Sequence, residues 1–419
     1  MKATTKPVRC MLARVTRILA ALVLLAVSDP RRAFADDYAV DEYSLAPERP
    51  ITLRGLLDTR IVHGSRDLGW TDRGPGKSRY GGNPNGDGPS RDTRLVLSHL
   101  ALEIGGSLPF GIVPRAQVEL ETDADSSTRP LLIEAFLRRE WGDAGEGFGL
   151  QAGTMNAPLS LEHSGPAWTP AYTLTPSALG TWQWEEMRST GLEGEWWRRF
   201  GDLRLDLIGG LGFGADNLGA VLAQRGWVLS DYLAGVNVEL PLPTRGRTSA
   251  VFAEHDGRPA VYLRAVLSER RDTVALHLGY FDNLADQDRN AGWATRFGTV
   301  GLLARPLPHV TFATQYMEGV TDTRVNDFDS AFRAVYALLS LDWRRHRLSA
   351  RYDFFRVDDA DGGPITREHG WALTFAYLVE IGLRHRLGIE YLRITSHRPA
   401  TGFDDPSDGG WQFSYRYRY

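Results

Sequence analysis

Trp411 to Tyr419 reads "WQFSYRYRY": an aromatic residue at every second position, with Gln412, Ser414, Arg416 and Arg418 between them. Successive side chains of a strand point to opposite faces, so the stretch predicts a ribbon with Trp411, Phe413, Tyr415, Tyr417 and Tyr419 on one side and polar or cationic groups on the other. An edge strand of a soluble sandwich leaves that much aromatic surface unexplained.

The same two-faced pattern recurs along the chain from Ile51. In "RPAVYLRAVLSE", Val261, Leu263, Ala265 and Leu267 oppose Tyr262, Arg264 and Ser268. In "LSARYDFF", Leu348, Ala350, Tyr352 and Phe354 oppose Ser349, Arg351 and Asp353. "RLGIEYLRI" sets Leu387, Ile389 and Tyr391 against Arg386, Gly388 and Glu390. No long amphipathic helix interrupts the series. Phe136 and Leu339 fall on faces expected to be polar.

Connections between these ribbons alternate in length. Short ones include "FGD" at Phe200 to Asp202, "PLPTRGR" at Pro241 to Arg247 and "RRHR" at Arg344 to Arg347. The others are usually longer and rich in Gly, Asp and Asn, as in "DNLADQDRN" at Asp282 to Asn290. Short turns at one end and long loops at the other are the habit of transmembrane β-barrels, whose closure also satisfies every backbone polar group in lipid. The expected fold is all-β, a transmembrane antiparallel barrel of 16 to 18 strands, with 18 the preferred count. Lipid and the interfacial girdle take the aromatic face of the last ribbon, and its arginines face water inside. That ribbon must pair with the first, "ITLRGLLDTRI", and Tyr419 supplies the C-terminal aromatic residue that barrel-assembly machinery reads.

Composition agrees. Aromatics make up 11% of the 419 residues and 44 are Gly. The mean hydropathy of -0.29 excludes a bundle of transmembrane helices but not a barrel, half of whose residues face water. Residues 1 to 35 combine five early basic residues, the apolar run Ile18 to Val27 and "AFA" at Ala33 to Ala35, which reads as a secretory signal peptide. Residues 36 to 50 then form a short periplasmic segment and 51 to 419 the barrel. Removing the signal takes away seven basic residues and one acidic residue, moving the formal charge from -4 to -10. A net acidic exported chain is a poor nucleic-acid partner. The only cysteine, Cys10, lies inside the signal, so thiol chemistry is excluded from the mature chain. No nucleophile elbow, zinc motif or phosphate loop is present; the chain is read as neither an enzyme nor a holder of cofactors or metals.

One connection stands apart. After the fifth ribbon comes "APLSLEHSGPAWTPAYTLTPSALGTWQWEEMRSTG", rich in Trp and Pro. A loop this long without obvious structure is either functional or disordered, and its aromatics argue for order. Residues 157 to 188 are expected to fold inward and constrict the lumen, with Glu162, His163, Glu185, Glu186 and Arg188 as its ionisable groups. By alternation the lumen wall carries Arg54, Asp58, Arg60, Arg115, Glu119, Glu121, Arg204, Arg264, Arg333, Arg351, Asp353, Arg386 and Arg416, which implies a wet interior.

"DTRLVLSHLALEIGGSLPFGIVPRAQVELE", then "LLIEAFLRREW" and "FGLQAGTMNAPLSLEH" with Gly153, Pro158, Ser160 and Glu162, resembles the front part of the phosphate-selective porin O and P family. The resemblance covers about a third of the chain and implies a water-filled, trimeric outer-membrane channel for small anions. The chain departs from what phosphate selection needs. Residues 157 to 188 hold three glutamates against Arg188 alone, and no lysine follows Lys77. The expected function is therefore passive diffusion of small hydrophilic solutes or ions, the alternative a non-conducting structural or adhesive barrel.

Overall fold

The computed structural model describes residues 51–83, 90–122, 128–162, 166–242, 247–269, 273–286, 292–323, 328–359, 367–398 and 407–419. The expected signal peptide, the periplasmic segment and His163 lie outside the described residues.

The strands are β1 (Ile51–His63), β2 (Thr93–Gly106), β3 (Ile112–Thr122), β4 (Thr128–Gly142), β5 (Glu146–Met155) and β6 (Ser189–Phe200). They continue with β7 (Leu203–Phe213), β8 (Glu239–Pro241), β9 (Thr248–Ala250), β10 (Ala260–Glu269), β11 (Val274–Asp282) and β12 (Ala294–Leu307). The series ends with β13 (Val310–Thr323), β14 (Phe328–Trp343), β15 (His346–Asp359), β16 (Glu368–Ile381), β17 (His385–His397) and β18 (Ser407–Arg418). All but β8 and β9 form one closed antiparallel barrel, each strand beside its chain neighbour, with β7 next to β10 and β18 next to β1.

The barrel thus has sixteen strands, within the expected range but below the preferred eighteen. Glu239–Pro241 and Thr248–Ala250 pair only with each other, in a small sheet between β7 and β10. Their sequence imitates a barrel hairpin joined by a tight turn. The long-range pairing of Leu211 with Val261 excludes them from the wall.

The seam sits where the last ribbon meets the first: Leu57 pairs with Tyr417, Ile61 with Phe413 and His63 with Trp411. Gly55 and Tyr419 exchange both backbone hydrogen bonds, at 3.1 and 3.2 Å. The Tyr419 ring covers Gly55 so closely that a Cβ there would fall 1.8 Å from a ring carbon. Short turns close the barrel at the end holding this seam's termini. They need left-handed residues to match strand twist, and Gly201 (φ +64°) and Gly382 (φ +70°) take that conformation without strain.

Alternation runs along the wall strands and slips at bulges, where Ser98 and His99 of β2 and Ile133 and Glu134 of β4 are buried in succession. Leu95, Leu192, Leu263, Leu348, Phe375 and Phe413 are exposed on the outside. A closed wall with such a belt is a membrane-spanning barrel. In β14 the inward set is Phe332, Ala334, Tyr336, Leu338 and Ser340, all nearly inaccessible. Leu339 therefore faces out, and so does Arg333, which shares its parity; the inward assignment of Arg333 is corrected. Phe136 does point inward, buried.

Candidate functional site: a lumen filled by two inserted segments

Two chain segments leave the wall and turn into the barrel. The first, between β5 and β6, carries helix α1 (Ala178–Glu186), whose every residue is buried. The second, between β7 and β10, carries helix α2 (Ala220–Arg225) and the buried run from Trp227 to Ala234.

The wall receives the first segment through side chains that bond its backbone. Gln315 donates to the Leu159 carbonyl (2.6 Å) and accepts from the Leu161 N–H (3.1 Å). Glu390 accepts from the N–H groups of Leu174 (2.6 Å) and Thr175 (3.2 Å). Asp353 accepts from Ala178 N–H at 3.1 Å. Arg351, wholly buried, donates to the carbonyls of Thr175 (2.7 Å) and Pro176 (2.8 Å) while pairing with Asp353 (2.8 Å) and Glu162 (3.4 Å). Inward glycines form sockets for leucines of the segment: a Cβ on Gly301 would lie 2.9 Å from Leu161, and one on Gly388 3.1 Å from Leu174. Glycine inside a strand commonly marks such a close approach.

Aromatic packing completes the filling. Trp182 of α1 lies 5.2 Å from Phe297, 5.1 Å from Phe332 and 6.1 Å from Trp227, measured between ring centroids. Together with Leu218, Leu222, Phe281 and Phe355 they form an apolar core inside the barrel.

The second segment brings its own charge to the wall. Asp231 pairs with Arg60 (2.6 Å), Arg79 (3.1 Å) and His99 (2.9 Å) and accepts from Ser98 (3.1 Å). Burial disfavours its charged form, and Arg60, Arg79 and His99 outweigh that and hold the carboxyl well below the usual range. Arg60 also pairs with Asp58 (2.8 Å), which binds Arg416 (2.7 Å), and His99 bonds Glu119 (2.8 Å). Three strands further round the wall, on β16, Glu368 takes Lys77 (2.7 Å) and the Trp227 N–H (2.8 Å).

Glu186 joins the two segments. Its carboxylate accepts from Gly219, Val221 and Leu222 N–H at 2.8, 3.3 and 3.0 Å, and from the Trp182 indole at 2.9 Å. Burial raises its carboxyl to about 7. Glu185, also raised by burial, meets Arg225 at 2.5 Å. Arg188, lowered by burial to about 9, donates to the Trp184 and Met187 carbonyls and lies over Trp168. Glu162 accepts from the Ser177 N–H and hydroxyl.

The described ionisable groups of segment 157 to 188 therefore contact their own segment, the wall or the second segment. Of the wall residues, Asp58, Arg60, Glu119, Arg351, Asp353 and Arg416 are almost wholly inaccessible. Arg115, paired with Glu103 and Glu134, and Arg386, paired with Glu380, are buried nearer the short-turn end. Arg204 pairs with Asp206 (2.7 Å), Arg264 reaches His277 (3.1 Å) and Arg54, more than half exposed, meets Glu103 (3.7 Å). Glu121 is described only in its strand backbone. Around the inserted segments the expected wet interior is packed, with backbone and charges of the segments meeting the wall's ionic groups, while Arg54, Arg204 and Arg264 keep part of their surface accessible. A cavity of about 20 Å³ between Arg79, Thr175, Asp231 and Gln412 has room for about one water molecule.

Sequence reading missed Asp231, Arg79, Lys77, Glu368 and Gln315. The signal for Asp231 was present: it is the one charge in the otherwise apolar run "WVLSDYLAGV", Trp227 to Val236.

No family model and no curated protein matches this sequence. Solved structures do match its shape. The outer membrane channel DcaP of Acinetobacter baumannii is 10% identical at a TM-score of 0.58, covering 88% of this chain and 97% of its own. An anion-selective porin from Comamonas acidovorans is 12% identical at 0.54, covering 89% and 100%. The outer membrane protein OmpT of Vibrio cholerae in its trimer form is 10% identical at 0.52, covering 88% and 99%. The chain has the porin fold. At these identities the likeness shows architecture alone.

Proposed function

We propose that this protein is an outer-membrane porin of a Gram-negative bacterium, a passive diffusion channel for small hydrophilic solutes or ions. One observation carries the reading: a sixteen-stranded closed barrel in which the segment between β5 and β6 folds into the lumen. That segment is the constriction. The second segment closes what remains, so the conformation described is a shut channel whose conductance depends on moving residues 214 to 242.

The neighbours' shape and the trimeric form of OmpT support a homotrimer, with Tyr419 presented to the assembly machinery after removal of residues 1 to 35. Phosphate preference is not assigned, because Arg188 is the one cation in the constriction and it is spent on carbonyls and Trp168. No catalytic role is assigned. The packed lumen favours a second reading, a non-conducting structural or adhesive barrel.

Planar-bilayer recording separates the two. The porin reading expects discrete steps, small in the parent and larger once the second segment is released by Asp231→Ala. Silence from both proteins sinks it. Reversal potentials in a salt gradient then give the sign of selectivity.

A further inference from the structure

The outer face of the wall should be apolar, yet on β14 to β17 it turns basic just short of the long loops. Arg333, Arg356, His369 and His397 occupy consecutive laterally paired positions: Arg333 opposite Arg356, Arg356 opposite His369, His369 opposite His397. All face outward by the alternation of their strands. The two imidazole rings lie 5.0 Å apart. Arg393, also exposed and outward, sets its guanidinium 5.7 Å from the Trp371 ring.

Directly beneath this row, toward the short-turn end, the outward residues are aromatic. Tyr352 stacks on Trp371 at 6.5 Å and Tyr391 lies 4.8 Å from Trp411. These mark one edge of the lipid belt, where amphipathic rings sit at headgroup level. A basic side chain facing lipid is costly at mid-bilayer and nearly neutral at the interface, so this row is tolerable only at headgroup height. Acidic partners are fewer: Asp358 pairs with Arg356 at 2.5 Å, and Glu318, opposite Arg333, accepts from the Tyr316 hydroxyl. Toward β13 the face turns acidic at Asp322 and Asp329, which bounds the patch.

We propose that this patch binds the phosphate groups of a phosphorylated glycolipid in the outer leaflet, with Arg356 and Arg393 as its principal contacts and His369 and His397 between them. Guanidinium forks suit phosphate oxygens bidentately, and stacking on Trp371 orients one of them. The proposal rests on the porin reading only for its orientation, long loops outside.

The test measures retention of bisphosphorylated lipid A and of its dephosphorylated form by the detergent-purified full chain, using native mass spectrometry. The parent is expected to retain the phosphorylated form at least tenfold better. Arg356→Ala/His369→Ala/Arg393→Ala should lose that preference, and Arg393→Gln alone should weaken it severalfold. Arg344→Ala/Arg345→Ala, at the opposite end, should keep it. Equal retention of both lipids, or an unchanged preference in the triple variant with barrel content intact by circular dichroism, overturns the proposal. So does a changed oligomer mass with unchanged lipid retention, which would assign the row to a subunit contact. Conductance recorded alongside separates the two ideas: a conducting barrel without lipid preference sinks only the patch, and a lipid preference kept while both the parent and Asp231→Ala stay silent sinks only the channel.

Discussion

The two inserted segments fill one lumen by opposite means. The first offers backbone and leucines to a wall prepared for it, with Gln315, Arg351, Asp353 and Glu390 distributed over β13, β15 and β17 and glycine sockets beneath. The second reaches out with a carboxylate, Asp231, into three cations. Distributed attachment resists any single substitution. The backbone of the second segment is also held, by Glu186, Glu368 and Arg398, but Asp231 gathers three partners at one carboxylate, and removing one partner of a buried ion cluster costs about 3–5 kcal/mol.

The largest effect should therefore come from Asp231→Ala. Arg60, Arg79 and His99 lose their shared partner, Arg60 keeping Asp58 and Gln412 and His99 keeping Glu119. Residues 220 to 238 should lose hydrogen-exchange protection and conductance should rise severalfold, while protection of 174 to 186 persists. Equal loss in both segments would erase the contrast drawn above.

A smaller effect is expected from Gly301→Val, which drives a side chain into Leu161 and costs about 1–3 kcal/mol by overpacking. Exchange at Leu159 and Leu161 should accelerate, leaving the Asp231 region unchanged. A variant indistinguishable from the parent would show that the glycine sockets do not hold the first segment.

The smallest concerns Glu186, the link between the two. Its carboxyl titrates near 7 when folded and near 4.5 when free, so the folded state binds the extra proton between those values. Stability contributed by this group is greatest at low pH and falls as pH rises from about 4.5 to about 7. Thermal unfolding midpoints should follow that slope, and Glu186→Gln should flatten it. A slope retained in the variant would place the titration elsewhere. Asp231, held low by its cations, acts in a separate window: its contribution is lost only as pH falls below the ordinary carboxylate range.

The sequence made the barrel legible because period-two alternation is local and the wall strands keep it apart from bulges such as those at Ser98 and Ile133. The first segment was legible for a similar reason, its length and its Trp and Pro content standing out against ordinary connections. The second was not. Glu239–Pro241 and Thr248–Ala250 look like two more wall strands around a tight turn, and only the distant pairing of β7 with β10 shows otherwise. Arg333 was misplaced because charge was taken as the sign of the inner face, whereas at headgroup height charge also belongs outside. The dry lumen escaped notice for a third reason. Alternation tells which side chains point inward, and says nothing of what meets them there.

The ring of Tyr419 over Gly55 has a consequence for how the molecule is made. Tyr419, beside the last wall strand, and Gly55, near the start of the first, touch where the wall closes, so the barrel keeps a free edge until β18 pairs with β1. Until that strand arrives, an unpaired edge and its greasy flank need shelter on the way to the membrane.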